Sequence, residues 1–583
     1  MKINNLKYEI TNVLVIGCGG AGLRAAIEVK KNNISVSVLG KRAKNDAHTV
    51  LAAGGINASF GNKDHEDSWE QHFADTYVEG YELGDPEIIE YMAKNALDQV
   101  SEISKWGADF EKLKNGKFDQ RFFGAHTFRR TCYAGDYTGQ EILNTLLNKC
   151  KKLNIPLIDS EYVTDLLVEN NTCFGAISFN IHTGEKTIHI ADSVILCTGG
   201  HTRLWKKSSS RKLENMGDGY FLALKAGCHL IDMEMVQFHP TGMLFPEEVA
   251  GTLVTEAVRG EGGILLNGKG ERYMEKYDKE RMELSTRDRV AIANYTEILE
   301  GRTSPNGGVF LDISHKNKDF ITSKIPKIYR QFLESQFLDI SKEPMEVAPT
   351  AHYSMGGIFV KSPNHDTNIN GLFCAGEVSG GLHGANRLGG NSLAEILVFG
   401  KVSGHYAASY SKNLTSQIRS KKVIEKVSNE ISKQIKHGDF IPISLQEELR
   451  NIMWKYCGVV KSKEMLEMGL NQIEKIEKKA NNLDVRITQN NCNDLIAAYD
   501  LKASLITSKA TILSALYREE SRGAHYRSDY KKISKEYNFN VILNYKEGKL
   551  ELKSVPLKFP SNRLKSFIHK AGKIISYKGK LLE

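Results

Sequence analysis

The feature that most restricts the fold is an apolar run, Asn12 to Ile16, that stops at a glycine turn and opens into a helix-forming stretch, GCGGAGLRAAIEVKKNN. A second apolar stretch, Ser35 to Leu39, follows, so strand, turn, helix and strand make one βαβ unit. Ala25, Ala26 and Val29 mark one apolar face of its helix. Gly17, Gly19 and Gly22 form GxGxxG between strand and helix. In that place the first glycine allows a tight turn, the second lets backbone approach a pyrophosphate, and the third lets helix pack on strand. The unit therefore predicts dinucleotide binding. The acid that grips a ribose in plain NAD enzymes is missing after the second strand, where Leu39, Gly40, Lys41 and Arg42 stand.

A third strand, Asp192 to Cys197, runs into Thr198, Gly199 and Gly200, and the sequence between Ser68 and Lys152 reads as mostly helical. The 583 residues allow about four domains. The expected fold is α/β: a Rossmann-like dinucleotide-binding domain (1–231 and 350–402) interrupted by a capping domain of turns and charged helices (232–349). A helical domain (403–518) and a small basic C-terminal domain (519–583) complete the chain. Leu445, Leu449, Ile452 and Met453 recur at helical spacing and are expected in a core.

Composition excludes several classes. No run of about 18 uncharged apolar residues occurs, and the N-terminus lacks a basic start, an apolar stretch and a cleavage site. Neither an integral membrane protein nor a secreted one is expected. A formal charge of +8 spread over both signs argues against a nucleic-acid partner. The basic run from Lys546 to Lys580 reads as a solvated tail, with a contact to an acidic partner or membrane surface as the alternative. The nine cysteines are scattered without a CxxC or CxxxxC cluster, which suits a reducing compartment and predicts no metal or iron–sulfur site in this chain.

The segments AHTVLAAGGINASFG, NMGDGYFLALKAG, FHPTG, TEAVRGEGGILLNGKGERYM, TRDRV, PTAHYSMGGI and HGANRLGGNSL follow in order. Together they resemble the flavoprotein subunit of succinate dehydrogenase and fumarate reductase, over about residues 10 to 530. ESRGAHYRSDY extends the match, and RFFGAHTFRRTCYAGDYTG is closer to the branch with quinol-linked and thiol-linked fumarate reductases. In that family a lysine replaces the ribose-binding acid, so the resemblance implies FAD.

By the same resemblance, Gly54, Gly55, Asp218, Glu377, Asn391, Ser392 and Leu393 contact FAD beside the glycine turn, and His48 bonds covalently to the flavin. Taken alone, a histidine before Gly54-Gly55 is equally compatible with a surface position. Oxidising succinate needs both carboxylates held while one methylene gives up a hydride and its neighbour a proton. The family assigns that holding to His239, Thr255, His352 and Arg387, and the proton to Arg287 with Glu256 and Arg259 as a relay. The resemblance also implies that electrons pass to an iron–sulfur subunit. A membrane quinone anchor or a thiol/disulfide subunit would stand beyond it, with this chain peripheral on the cytoplasmic face of an energy-coupling membrane. The rival reading is L-aspartate oxidase, which lacks the histidine matching His48 and carries an acid for the substrate ammonium where this chain has FGAHT.

Overall fold

The computed structural model describes residues 6–361, 363–488 and 491–575. The chain begins in a seven-stranded sheet. Its first six strands are β1 (Leu6–Ile16), β2 (Val36–Leu39), β3 (Leu157–Ile158), β4 (Glu161–Glu169), β5 (Thr172–Asn180) and β6 (Lys186–Leu196). They lie in the order β3-β2-β1-β6-β5-β4. β3, β2, β1 and β6 are mutually parallel, whereas β6, β5 and β4 form an antiparallel meander. Val13, Leu14, Val15 and Ile16 are buried as a continuous run, as a parallel strand covered on both faces requires.

Helix α1 (Gly20–Lys31) follows the glycine turn, and Lys30 and Lys31 in its last turn complement its dipole. The expectation of one apolar face is corrected. Leu23, Ala25, Ala26, Ile27 and Val29 are all buried, because a later helix covers the side away from the sheet. Helices α2 (Trp69–Glu79) and α3 (Pro86–Trp106) then fill the predicted helical stretch. β6 begins before the predicted Asp192, since its first half pairs with both β1 and β5.

After helix α4 (Asp218–Lys225) the chain builds a second, antiparallel sheet. Its strands are β7 (Val236–Met243), β8 (Ile264–Leu266), β9 (Val309–Asp312) and β10 (Met345–Ser354), in the order β7-β10-β9-β8. Helix α5 (Arg287–Leu299) packs on it, around a core that includes Leu265, Val290, Leu311, Phe332 and Val347. The sequence reading as turns and charged helices missed this sheet. β8 and β9 are three and four residues long, and β7 carries Pro240 where the register slips against β10. Proline has no N–H for the ladder and is tolerated at such an irregularity, which also re-aims its neighbour His239.

The chain returns to the first sheet with β11 (Leu372–Cys374), parallel to the end of β6, and helix α6 (Asn391–Asn413) crosses α1. A Cβ on Gly404 would lie 2.4 Å from the Ala25 carbonyl oxygen and one on Gly400 2.7 Å from that of Ala21, so the two helices approach to backbone contact. The positions 349/350 and 402/403 lie inside β10 and α6.

Helices α7 (Pro442–Tyr456), α8 (Lys463–Ala480) and α9 (Asn493–Tyr517) share a core that includes Leu445, Leu449, Ile452 and Met453. At the end of α9 the fully buried Arg518 bonds Glu234 at 2.6 Å and Glu520 at 3.1 Å, with Asp232 at 3.5 Å. It also donates to the carbonyls of Tyr537 and Phe539. The hairpin β12 (Phe539–Lys546) and β13 (Lys549–Pro556) pairs with Leu230–Ile231, and helix α10 (Lys565–Ile575) packs on α2.

The basic tail is expected to be solvated, and three of its cations are exposed while pairing with acids on the surface. Lys558 pairs with Asp85 and Glu87, Arg563 with Glu90, and Lys570 with Glu66. Their acidic partner lies within the chain, and Lys578 and Lys580 lie outside the described residues. Among the described residues, no helix is long and apolar enough to cross a membrane.

Candidate active site

One elongated cavity runs from the glycine turn before α1 to the face of the second sheet. Its first end is a cradle for a dinucleotide. Gly17 has φ 121°, and a Cβ there would lie 2.1 Å from the Cys197 carbonyl oxygen. A Cβ on Gly22 would lie 1.9 Å from the Gly17 oxygen, so these two glycines are demanded by the protein itself. Gly19 differs: its Cβ would meet Thr49 Oγ1 at 3.6 Å, an ordinary contact. Glycine at 19 keeps open the cavity that it lines.

Two helix N-termini adjoin this cavity. α1 starts after Gly19 and α6 after Gly390, and neither has a side-chain cap or an acid in its first turn. Gly20 N–H bonds Thr49 Oγ1 at 3.0 Å, and the remaining dipole at each end suits an anion or a carbonyl oxygen. Lys41 stands at the end of β2. It pairs at 2.8 Å with Asp218 and at 3.5 Å with Asp500, which itself accepts from Tyr162. Burial opposes the Lys41 charge, but the two carboxylates outweigh it and raise its pKa. The carboxylate at this end thus comes from Asp218 on α4. Lys41, Asp218, Gly54, Gly55, Ser392 and Leu393 all line the cavity, and the donors and apolar walls fit FAD.

His48 also lines the cavity, with Nδ1 3.0 Å from Glu214 Oε2. Burial disfavours the imidazolium, yet Glu214 more than compensates and raises the His48 pKa, while Glu214 is pushed well below the ordinary carboxylate range. Arg211 bonds the same carboxylate at 3.1 Å and fixes its direction. Glu377, lower in the wall, accepts from Ser354 N–H at 3.0 Å, and burial raises its pKa against the opposing charge of His48.

The other end of the cavity is cationic and lined by buried side chains. Arg287, the first residue of α5, donates from Nε to Glu256 at 2.8 Å. Arg387 lies with its guanidinium 4.3 Å above the Tyr353 ring. Burial and the nearby Arg287 lower the Arg387 pKa to about 10, the signature of crowded cations awaiting an anion. His239 and His352 face each other with ring centroids 5.4 Å apart. Burial and the surrounding guanidiniums push both well below the ordinary histidine value, so both rings are neutral at pH 7. Nδ1 of His352 is 3.0 Å from Ser209 Oγ, and Nδ1 of His239 sits against the Thr241 backbone, which leaves each Nε2 for the cavity. Burial opposes the Glu256 charge, but Arg287 and Arg259 hold its pKa down to about 2.

Of the residues singled out from sequence, His239, Thr255, His352, Arg387, Arg287 and Glu256 share this end of the cavity. Arg259 does not line it. Buried behind Glu256, it donates from Nη1 to the Glu283 carbonyl at 2.5 Å, while Nε and Nη2 have no hydrogen-bond partner. Gly22 and Asn391 are likewise away from the wall. Asn391 accepts from Asn57 at 2.7 Å, lies 2.8 Å from His72 Nε2 and donates to Thr76, so its side chain anchors the start of α6.

Sequence reasoning missed Gln237. Its Oε1 accepts from Arg387 Nη2 at 3.0 Å and from Arg287 Nη1 at 3.4 Å, and its Nε2 donates to Asn386 and to the Arg387 carbonyl. One amide oxygen thereby joins the two arginines. The signal was present: Gln237 is two residues before His239, and a strand brings such positions to one face.

Comparison with known proteins agrees with this geometry. A model of an FAD binding domain matches residues 12–393, and one of the fumarate reductase flavoprotein C-terminal region matches residues 446–566. A fumarate reductase (CoM/CoB) subunit from Methanothermobacter marburgensis is 44% identical over 92% of this chain and 98% of its own. A succinate dehydrogenase flavoprotein subunit from Rickettsia conorii is 37% identical over 91% of this chain and 92% of its own. The solved structure of Mycobacterium smegmatis Sdh1 in complex with UQ1 superposes with a TM-score of 0.88 at 36% identity, covering 96% of each chain. The chain binds FAD and belongs to the succinate dehydrogenase and fumarate reductase flavoprotein family.

Proposed function

We propose that this chain is the flavoprotein subunit of a succinate dehydrogenase or fumarate reductase and interconverts succinate and fumarate. The observation that carries the reading is the convergence of Arg287, Arg387, His239, His352 and Thr255 on one buried end of the FAD cavity. FAD, when bound, supplies a two-electron hydride acceptor and donor.

The chain's own residues do the rest. Arg387 pairs with one carboxylate of the substrate, its guanidinium held flat by Tyr353 and Gln237. His239, His352 and Thr255 donate to the remaining carboxylate oxygens. The guanidiniums of Arg287 and Arg387 crowd one another at this end, and burial opposes the Arg387 charge, so a substrate carboxylate relieves both. Burial keeps water from competing with these donors.

Arg287 gives up or takes the proton at the carbon next to the hydride-bearing one, on the side away from its bond to Glu256. Arginine is ordinarily never deprotonated, and the relay makes the transfer tolerable: Glu256 holds the cation as it re-forms, and Arg259 behind it carries two unpartnered N–H-bearing nitrogens toward which charge can shift. His48 would be the residue that carries the flavin covalently: it lines the cavity, and Glu214 beside Nδ1 holds the direction of its ring.

L-Aspartate oxidation is the poorer reading. The substrate ammonium would need a free carboxylate, yet Glu256 is already paired with Arg287, and FGAHT offers His126, bonded to the Gly389 carbonyl. Electrons leave to an iron–sulfur subunit that joins this chain to a quinone anchor or a thiol/disulfide subunit, placing it peripherally at the cytoplasmic face of a membrane. The words "subunit" and "CoM/CoB" in the relatives' names support an assembly of this kind. The test is anaerobic titration of the bound flavin. Bleaching by succinate, reversed by fumarate, is expected, and bleaching by L-aspartate instead would overturn the assignment.

A further inference from the structure

The N-terminal half of β1 is exposed along one edge, with Lys7 and Glu9 ion-paired to each other at 2.7 Å and Leu6 half-buried against the helical core. Residues 6–11 pair in parallel with residues 186–191 of β6 on one side, whereas β2 reaches β1 only from Val13 to Ile16 on the other. Among the described residues no strand pairs with the second side of residues 6–11, which is therefore an open edge. Its side chains are also uncovered: Tyr8 is 55% and Ile10 75% exposed, and Lys7 and Glu9 are exposed beside them.

The backbone of this half is set apart from the rest of the strand at Asn12. Val13 N–H donates to the Ser35 carbonyl and Asn12 N–H to Ser35 Oγ at 2.9 Å, both on the β2 side, and Asn12 drops out of the pairing with β6 while Thr11 and Val13 stay in it. Beyond that irregularity every second residue of 6–11 turns its N–H and C=O groups to the open edge.

We propose that this edge pairs with the same edge of a second copy of the chain, antiparallel about a two-fold axis through Tyr8. In that register Lys7 faces Glu9 of the second copy and Glu9 faces its Lys7, so the ion pair that Lys7 and Glu9 form at 2.7 Å within one strand meets its copy with opposite charges opposed. On the other face Tyr8 meets Tyr8, and Leu6 meets Ile10, so apolar side chains oppose apolar ones. The sequence Leu6-Lys7-Tyr8-Glu9-Ile10 is self-complementary in charge and in hydropathy. A closed two-fold pairing of this kind also removes the hazard of an open edge.

The experiment uses the full-length, flavin-loaded chain and reads its mass across a concentration series by light scattering and sedimentation. Lys7→Glu opposes two acids at each pair and Glu9→Lys two lysines. Each is expected to weaken the dimer about tenfold while flavin content is unchanged. Mixing the two variants restores complementary pairs, so a heterodimer tighter than either variant's own dimer is expected, and the double variant is expected to regain the wild-type mass. Tyr8→Cys supplies a second readout. All nine native cysteines are buried, and residues directly opposed in an antiparallel pair stand about 4.5–5.5 Å apart at Cα, within disulfide reach. Diamide, as the oxidant, is expected to cross-link the Tyr8→Cys chain and to leave the wild type uncross-linked. A wild-type chain that stays monomeric, or a dimer indifferent to both charge reversals, would overturn the proposal.

Discussion

Gln237→Leu is the most informative single change at the site. The leucine fills a similar volume in a position with no exposed surface, but it removes the acceptor shared by Arg387 and Arg287. A hydrogen bond from a charged donor contributes about 1.5–3 kcal/mol. The 3.0 Å bond to Arg387 has good geometry, and the 3.4 Å one to Arg287 adds little. Arg387 Nε already lacks a partner, so the guanidinium loses its main tether. A loss of about 2–3 kcal/mol of transition-state stabilisation lowers kcat/KM about 30- to 150-fold. Because Arg387 grips a carboxylate before and during reaction, most of the loss should fall on KM. The assay is steady-state turnover with an artificial electron acceptor, alongside flavin content and KM for succinate. Gln237→Glu keeps an acceptor for both arginines but adds a negative charge beside a dianion, so KM should rise while kcat changes less. A Gln237→Leu enzyme with full flavin and kcat/KM within about threefold of wild type, below the effect of one charged hydrogen bond, would refute the reasoning.

Other expectations follow from the same geometry. Arg287→Ala and Arg287→Lys should abolish turnover by at least about a thousandfold with flavin still bound, and near-normal activity would remove Arg287 from the mechanism. His48→Ala should leave a flavin that acid denaturation releases into the supernatant, whereas the wild-type flavin should stay with the precipitated chain. Affinity for a non-reacting dicarboxylate such as malonate should hold from neutral pH upward and fall as pH rises through about 10, where Arg387 loses its charge; bound anion stabilises the cation, so the midpoint should move upward at saturating ligand. Arg518→Met should destabilise the chain by about 3–5 kcal/mol, read from denaturant unfolding, because Asp232, Glu234 and Glu520 would be left buried around an uncharged side chain.

The cofactor end of the site was legible because its constraints are local. Gly17, Gly19 and Gly22 answer to a turn, an approach and a packing contact within six residues, and a strand and a helix flank them. The substrate end was legible through resemblance rather than spacing, since β7, the loop at Thr255, α5, β10 and the turn before α6 each give one or two residues. No periodicity links Arg287 to Arg387. What stayed hidden was whatever depends on a distant partner. α1 reads as one-faced until α6 covers its back, the surface acids that the basic tail pairs with lie hundreds of residues away, and Lys41 reads as a missing acid until Asp218 and Asp500 arrive. The second sheet failed for another reason: its short strands and the irregularity at Pro240 erase the alternation by which strands are read.

The placement of α10 bears on how the chain matures. β1 comes early in the chain and lies beside β6, and β6 takes its last partner, β11, only from residues 372–374. The N-terminus of α6 at the cavity comes later still, and its first residue is held by His72 and Thr76 of α2, the helix that α10 covers. Residues 17–20 and 390–396 thus frame the same crevice although they stand far apart in the chain. A nascent chain stalled before residue 391 has the glycine turn but no second helix end to face it. Flavin loading therefore waits on α6, and removal of α10, remote from the cavity but packed on the helix that holds the start of α6, should register first as a failure to retain the flavin.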